Sequence, residues 1–358
     1  MRVGRLSYEE IKTIVVAFSF TAFLLTFPNF GPVAIEIVKE KGLNGLEFFT
    51  QYLLSHMFGI GVAGLTLDRV RRRIALSKII AIMLIVFSVA SYFYPFSICL
   101  VGFFLGFTVV IMGSLLSRCV RPWMRGKILA AGAAMANVYL IAVGHSTWTS
   151  FKLLFLGIFP LLFFFLLSEI EFDFVEERRI NIEFVKFALP VMVFYVLSGI
   201  MYGKMEPVFL EEGIKTHVLF YAVAILVAGH IYDAFGRRPV SIFGIFLIAI
   251  AFASFPISHL ASAYLIQSSY AFIDIFAMLV WADLSYYGSE AKQYGLGVFF
   301  IVFAIFVGFV VSQTVSIGYL LIEVILIMLL FSSILIVSAK EPMKSPEEYM
   351  EWARKFAR

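Results

Sequence analysis

The sequence predicts an all-α membrane protein of about twelve transmembrane helices in two six-helix halves. Three observations predict it. The 358 residues are 61% hydrophobic and only 15% charged, with a mean hydropathy of +0.96. The apolar residues fall in runs of about 20, the length of one bilayer crossing. An Asp/Arg-rich turn occurs twice, about half a chain apart.

A soluble domain carries about a quarter of its residues as charges, so the apolar excess here must face lipid. Backbone groups in lipid need internal partners, which leaves helices or a closed barrel. The runs do not alternate with period two, so helices are expected. They are placed at 12–38, 45–67, 74–94, 96–117, 128–146 and 150–168, then 184–203, 216–232, 239–257, 260–286, 296–314 and 317–339. Pro28 and Pro32 should bend the first helix near its outer end. Its apolar run, Ile11 to Val38, is too long for a signal-peptide core and reads as the first span. Cys99 and Cys119 sit at opposite ends of one span, beyond disulfide reach.

An even number of spans puts both termini on one side. If that side is the cytoplasm, only Lys39, Lys41, Lys152, Lys204 and Lys215 of the 28 Lys and Arg fall outside. The positive-inside rule therefore predicts a multi-pass cell-membrane protein with both termini cytoplasmic. The net charge of +4 is spread over short loops, which suits topology and not nucleic acid.

The halves echo each other. The turn after the second span reads Gly64-Leu-Thr-Leu-Asp68-Arg69-Val-Arg71-Arg72-Arg73, and the turn after the eighth reads Gly229-His-Ile-Tyr-Asp233-Ala-Phe-Gly236-Arg237-Arg238. The two aspartates are 165 residues apart. A weaker echo relates Met124-Arg125-Gly126-Lys127 to Gln293-Tyr294-Gly295-Leu296 at an offset of 169. Two halves in the same orientation are the parallel repeat of a rocking transporter. The domains expected are 1–168, a charged linker at 169–183, a second bundle at 184–339, and a tail at 340–358.

Both turns resemble the signature loop of the major facilitator superfamily, G-x-x-x-D-R-x-G-R-R. The second copy has Gly229, Asp233, Gly236, Arg237 and Arg238 in register, with Ala234 for the first arginine. The first has Gly64, Asp68, Arg69, Arg72 and Arg73, with Arg71 for the second glycine. The resemblance implies a latch that holds the inward-closed state through Asp68, Arg69, Arg72, Asp233, Arg237 and Arg238. The alternative is that the arginines only enforce topology. Asp283 resembles the family's acidic residue at the end of span ten. At the 169 offset its counterpart is Ser114, so the first half is expected to lack that partner. The span-four arginine of proton-coupled members is absent, Gly102 standing there, and span five has no Gly-Pro motif.

A mid-membrane charge tends to face a cavity or a partner. Asp274, half-way along span ten, is the candidate for proton or cation coupling; a satisfied helix–helix bond is the alternative. His56 is a second candidate, with the same alternative. Asn29, Asn137, Tyr195, Tyr202 and Gln267 are candidates for substrate hydrogen bonds. Glu36, Lys204 and Glu323 have weaker claims. No carboxylate pair, metal-ligand cluster, nucleophile elbow or nucleotide loop occurs, so no cofactor, ATP drive or enzymatic activity is expected. The tail suits an amphipathic helix on anionic lipid. The function expected is secondary transport of a small solute by alternating access, coupled to protons or an ion gradient, in a monomer. A uniporter, or a membrane sensor that binds without translocating, is the alternative.

Overall fold

The computed structural model describes residues 6–170, 172, 182–214, 217–285, 290–314, 325–330 and 334, and no strand occurs among them. The α-helices are α1 (Tyr8–Thr26), α2 (Pro32–Lys41), α3 (Gly45–Thr66), α4 (Arg73–Phe93), α5 (Ile98–Arg118), α6 (Arg125–Gly144), α7 (Ser150–Ile158), α8 (Ile182–Glu211), α9 (His217–Phe235), α10 (Arg237–Ser254), α11 (His259–Leu284) and α12 (Glu290–Thr314). Most of the twelfth expected span, the tail and most of the linker lie outside the described residues, as does the side chain of Tyr202.

Among the described residues eight helices are long and apolar enough to cross a membrane: α4, α5, α6, α8, α9, α10, α11 and α12. Their exposed faces are apolar too, as at Val86, Val223 and Phe246, which is the surface that lipid requires. α1 and α3 are less apolar, with Glu9, Glu10 and Lys12 in one and Gln51, Ser55 and His56 in the other.

The prolines do more than bend the first span. A proline inside a helix removes a hydrogen bond and clashes with the preceding turn. α1 therefore ends at Thr26, and α2 starts afresh with Pro32 as its first residue. α1 opens on a capping box, in which the Ser7 hydroxyl accepts from Glu10 N–H and the Glu10 carboxylate accepts from Ser7 N–H. α7 likewise gives way at Pro160 to a tighter 3-10 stretch, Phe159–Leu166. α12 begins at Glu290, six residues before the predicted span.

The chain forms two compact units. One comprises Met1–Val120, Ala131–Arg179 and Gly288–Phe299; the other comprises Arg121–Ala130, Ile180–Tyr287 and Phe300–Arg358. Each thus takes a short segment from the other half of the sequence: the start of α12 joins the first unit and the start of α6 joins the second.

In the first unit α3 lies close on α5, because a side-chain carbon at Gly59 would fall 2.1 Å from the Phe103 carbonyl oxygen. At the far end of α2, Glu40 accepts hydroxyl hydrogen bonds from Ser150 and, at 2.6 Å, from Tyr92. These two hydroxyls hold its carboxyl below the usual carboxylate range. In the second unit α11 is the central helix, packed on α8, α9 and α10. Its Trp281 is fully buried against Phe184, with ring centroids 4.9 Å apart.

Candidate functional site

The first unit holds an ionic cluster where α3, α4, α5 and α12 end or begin. Asp68 accepts from Ala291 N–H at 2.9 Å and Lys292 N–H at 3.0 Å, so one carboxylate closes two open donors in the first turn of α12. A helix start carries partial positive charge and unpaired N–H groups, which is why an aspartate settles there. Arg73 donates to Asp68 at 3.3 Å and to Glu290 at 3.4 Å; Arg118, at the end of α5, donates to Glu290 at 3.3 Å. Arg73 is fully buried and lies 4.2 Å over the Phe172 ring. Two carboxylates thus face two guanidinium groups, one of them fully buried and the other part-exposed.

The second unit repeats the plan. Asp233 accepts from Gly126 N–H at 2.8 Å and Lys127 N–H at 2.9 Å in the first turn of α6. Arg125 donates to Asp283 at 2.6 Å, and the Tyr232 hydroxyl donates to the other Asp283 oxygen at 2.6 Å. Arg237 is buried with its guanidinium 4.7 Å from the Phe187 ring. The grip needs glycine. A side-chain carbon on Gly126 would fall 2.3 Å from the Gly229 carbonyl oxygen and 2.8 Å from the Asp233 carboxylate. Gly236, at φ +90, supplies the left-handed turn into α10.

The capped residues fix the repeat at 165, since 126 pairs with 291 and 127 with 292. This replaces the offset of 169 read for the second echo, a slip of one helical turn that came from matching Gly126 to Gly295. At 165 the counterpart of Asp283 is Arg118, and that of Arg125 is Glu290. The first unit therefore has the partner that Ser114 did not offer, with its charge reversed: Arg118–Glu290 stands where Asp283–Arg125 stands. Ser114 is buried and donates to the Val110 carbonyl of its own helix.

Of the other latch candidates, Gly64 faces Gly295, and Arg238 is half-buried at the start of α10. Arg69 and Arg72 are exposed, and among the described residues neither forms an ion pair. Arg73 is the arginine that enters the cluster. The sequence reading assigned no latch role to Arg73, which matched the signature, or to Arg118, Arg125, Tyr232 and Glu290. It also missed Glu169, whose carboxylate accepts from Ile74 N–H at 3.1 Å and Ala75 N–H at 2.7 Å and so caps α4. The strict 165 offset was the available signal for Arg118 and Glu290.

The cavity candidates separate by unit. In the first, His56 is buried, stacked on Tyr52, with Nδ1 3.1 Å from the Gly102 carbonyl oxygen. Asn137 donates to Ala133 O of its own helix at 2.8 Å, and Asn29 lies in the turn between α1 and α2. In the second, Tyr195 donates to Asp274 Oδ1 at 2.6 Å and Tyr221, not foreseen, donates to Oδ2 at 2.7 Å. Gln267 is half-buried two turns earlier on α11.

Eight bilayer-length apolar helices define a multi-pass membrane protein. No protein-family model and no curated protein sequence matches the chain. Among solved structures it is similar to the human organic anion transporter MFSD10 (TETRAN), a major facilitator superfamily transporter. The TM-score is 0.67 at 11% identity, over 92% of this chain and 100% of that one. At that identity the likeness is one of fold, and it agrees with the resemblance read from the two turns.

Proposed function

We propose that the protein is a secondary transporter that moves a small solute across the cell membrane by alternating access. Twelve spans in two six-helix halves, residues 1–168 and 184–339, carry the cycle. Residues 169–183 link the halves, the tail at 340–358 lies on the membrane, and both termini are cytoplasmic. The protein works as a monomer, without catalytic chemistry.

One observation carries the reading: the duplicated helix-start grip of Asp68 and Asp233. Each grip joins an Arg-rich turn to a helix more than 100 residues away, and in this reading its contacts form in one arrangement of the cycle and are lost together in the other. Buried ion pairs are poor stabilisers of a static fold, but they suit a device that must hold and release. Asp68, Arg73, Arg118 and Glu290 form one latch; Asp233, Arg125, Asp283 and Arg237 form the other. Asp274 is the carboxylate we assign to coupling with a proton or ion gradient. The likeness in fold to an organic anion transporter supports transport as the class of function.

Flux into proteoliposomes tests this. Reconstituted protein should accumulate or exchange a labelled organic ion under an imposed pH or ion gradient, and Asp68→Ala with Asp233→Ala should abolish it. Saturable binding without flux under any gradient would instead make the protein a sensor.

A further inference from the structure

Asp274 lies about half-way along α11, in the second unit. Each of its oxygens accepts one tyrosine hydroxyl, from Tyr195 on α8 and Tyr221 on α9. Tyr270, one turn earlier on α11, meets Ser198 through its hydroxyl. Phe194 stands edge-on to both Tyr195 and Tyr270, with ring centroids at 5.4 and 6.4 Å. Tyr195 is buried, whereas Asp274, Tyr221 and Tyr270 keep some exposed surface. Among the described residues no Lys, Arg or His reaches Asp274.

A carboxylate in a membrane helix faces a cavity or a counter-charge and avoids lipid. Two neutral hydroxyls orient this carboxylate but do not neutralise it. The carboxyl is therefore balanced by a proton of its own or by a mobile cation. The basic residues nearest in sequence on α8, Lys186 and Lys204, are each nine residues from Tyr195, which at 3.6 residues per turn puts both on the opposite side of that helix. Glu206 falls on the Tyr195 side, and Tyr270 senses the charges of both Glu206 and Asp274. The field over these tyrosines is negative, which suits a cation and repels an anion.

The type of cation follows from the remaining atoms. A hard metal ion asks for about six oxygen ligands, and the side chains hydrogen-bonded here bring four, the two Asp274 oxygens and the Tyr195 and Tyr221 hydroxyls. Aromatic faces beside a carboxylate are instead the surroundings that hold organic ammonium groups by charge and ring quadrupole. We infer that Asp274, Tyr195, Tyr221 and Tyr270 form a binding site for a monovalent organic cation. That this cation is the cargo rests on the transporter reading above.

The test is equilibrium binding of labelled tetraethylammonium, choline and tetraphenylphosphonium to the purified full chain. At least one should bind saturably. Asp274→Asn should weaken it by about 30-fold or more, the loss expected when a desolvated counter-ion is removed. Tyr221→Phe should weaken it by about 3- to 10-fold, and Asp274→Glu should restore most of it. Thermal melting of each variant identifies any that fails to fold; Tyr221→Phe and Asp274→Glu then carry the test alone. No saturable binding of any probe, or binding unchanged in Asp274→Asn, would overturn the site. Flux of the bound probe is a separate reading: binding without flux removes the transporter and leaves the site, while flux of other solutes without cation binding does the reverse.

Discussion

Asp68 and Asp233 hold two different helix starts in the same way. Each sets one oxygen on one backbone N–H and the other oxygen on the next, at 2.9 and 3.0 Å for α12 and at 2.8 and 2.9 Å for α6. The sequence brings them to this role through the shared Gly-x-x-x-Asp spacing, which puts glycine and aspartate on one face of the helix, one turn apart. The glycine lets the partner helix approach, and the aspartate then reaches its open end.

Removing either cap has a defined consequence. Asp233→Ala leaves two donors of α6 unpaired and should cost about 1–2 kcal/mol. Thermal melting in detergent should fall by a few degrees. The same substitution should raise labelling of cysteines placed near the start of α6, because the released turn spends more time open.

The two ion pairs should differ in sensitivity. Arg125 is almost fully buried and pairs with Asp283, so Arg125→Ala leaves that carboxylate only the Tyr232 hydroxyl and should cost about 3 kcal/mol. Arg118 is 31% exposed, and Glu290 retains Arg73 after its loss. Arg118→Ala should therefore cost about 1 kcal/mol or less. A double-mutant cycle with Asp283→Asn should give a sum of single effects larger than the double, as partners in contact require.

Close packing predicts a third contrast. A side-chain carbon at Gly229 would fall 2.4 Å from the Gly126 carbonyl oxygen, whereas one at Gly144 meets nothing within 4 Å. Gly229→Ala should destabilise by about 1–3 kcal/mol, and Gly144→Ala should be neutral. Melting of the two variants side by side checks this.

Burial pushes the Cys119 thiol up to about 12. Below that pH the residue is a thiol, and the thiolate is the reactive form. Maleimide should modify Cys119 more than 100-fold more slowly at pH 8 than a free cysteine. The rate should rise about tenfold per pH unit as far as the fold survives. The sign for stability follows: the unfolded thiol ionises near pH 8.5 and the folded one near 12, so its contribution is complete below 8.5 and declines between the two.

Much of this fold is legible in the sequence because lipid permits few solutions. Spans such as 45–67 and 74–94 lie within a residue of α3 and α4, since apolar length alone marks them. Helix starts made of polar residues were less legible. Glu290 and Arg125 look like loop charges by hydropathy, yet each begins a helix, because a capping aspartate from a distant turn substitutes for local signals. Arg73 entered the cluster in place of Arg72 because Arg71 stands where the second turn has Gly236, and the first turn passes through a short 3-10 stretch, Leu67–Arg69, instead of a left-handed glycine. Tyr221 carried no sequence signal, because a tyrosine in an apolar helix is usually packing and only the geometry joins it to Asp274.

The most direct test of the whole account is a disulfide between Gly64→Cys and Gly295→Cys, with Cys99 and Cys119 replaced by serine. A side-chain carbon at Gly64 would lie 3.4 Å from Gly295 Cα and one at Gly295 only 2.8 Å from Gly64 Cα, so the two helices must part slightly before oxidation joins α3 to α12. The account predicts that flux into proteoliposomes stops when the bond forms and returns when it is reduced. Undiminished flux with the disulfide fully formed would contradict it, because the turn and the helix start would then never need to part.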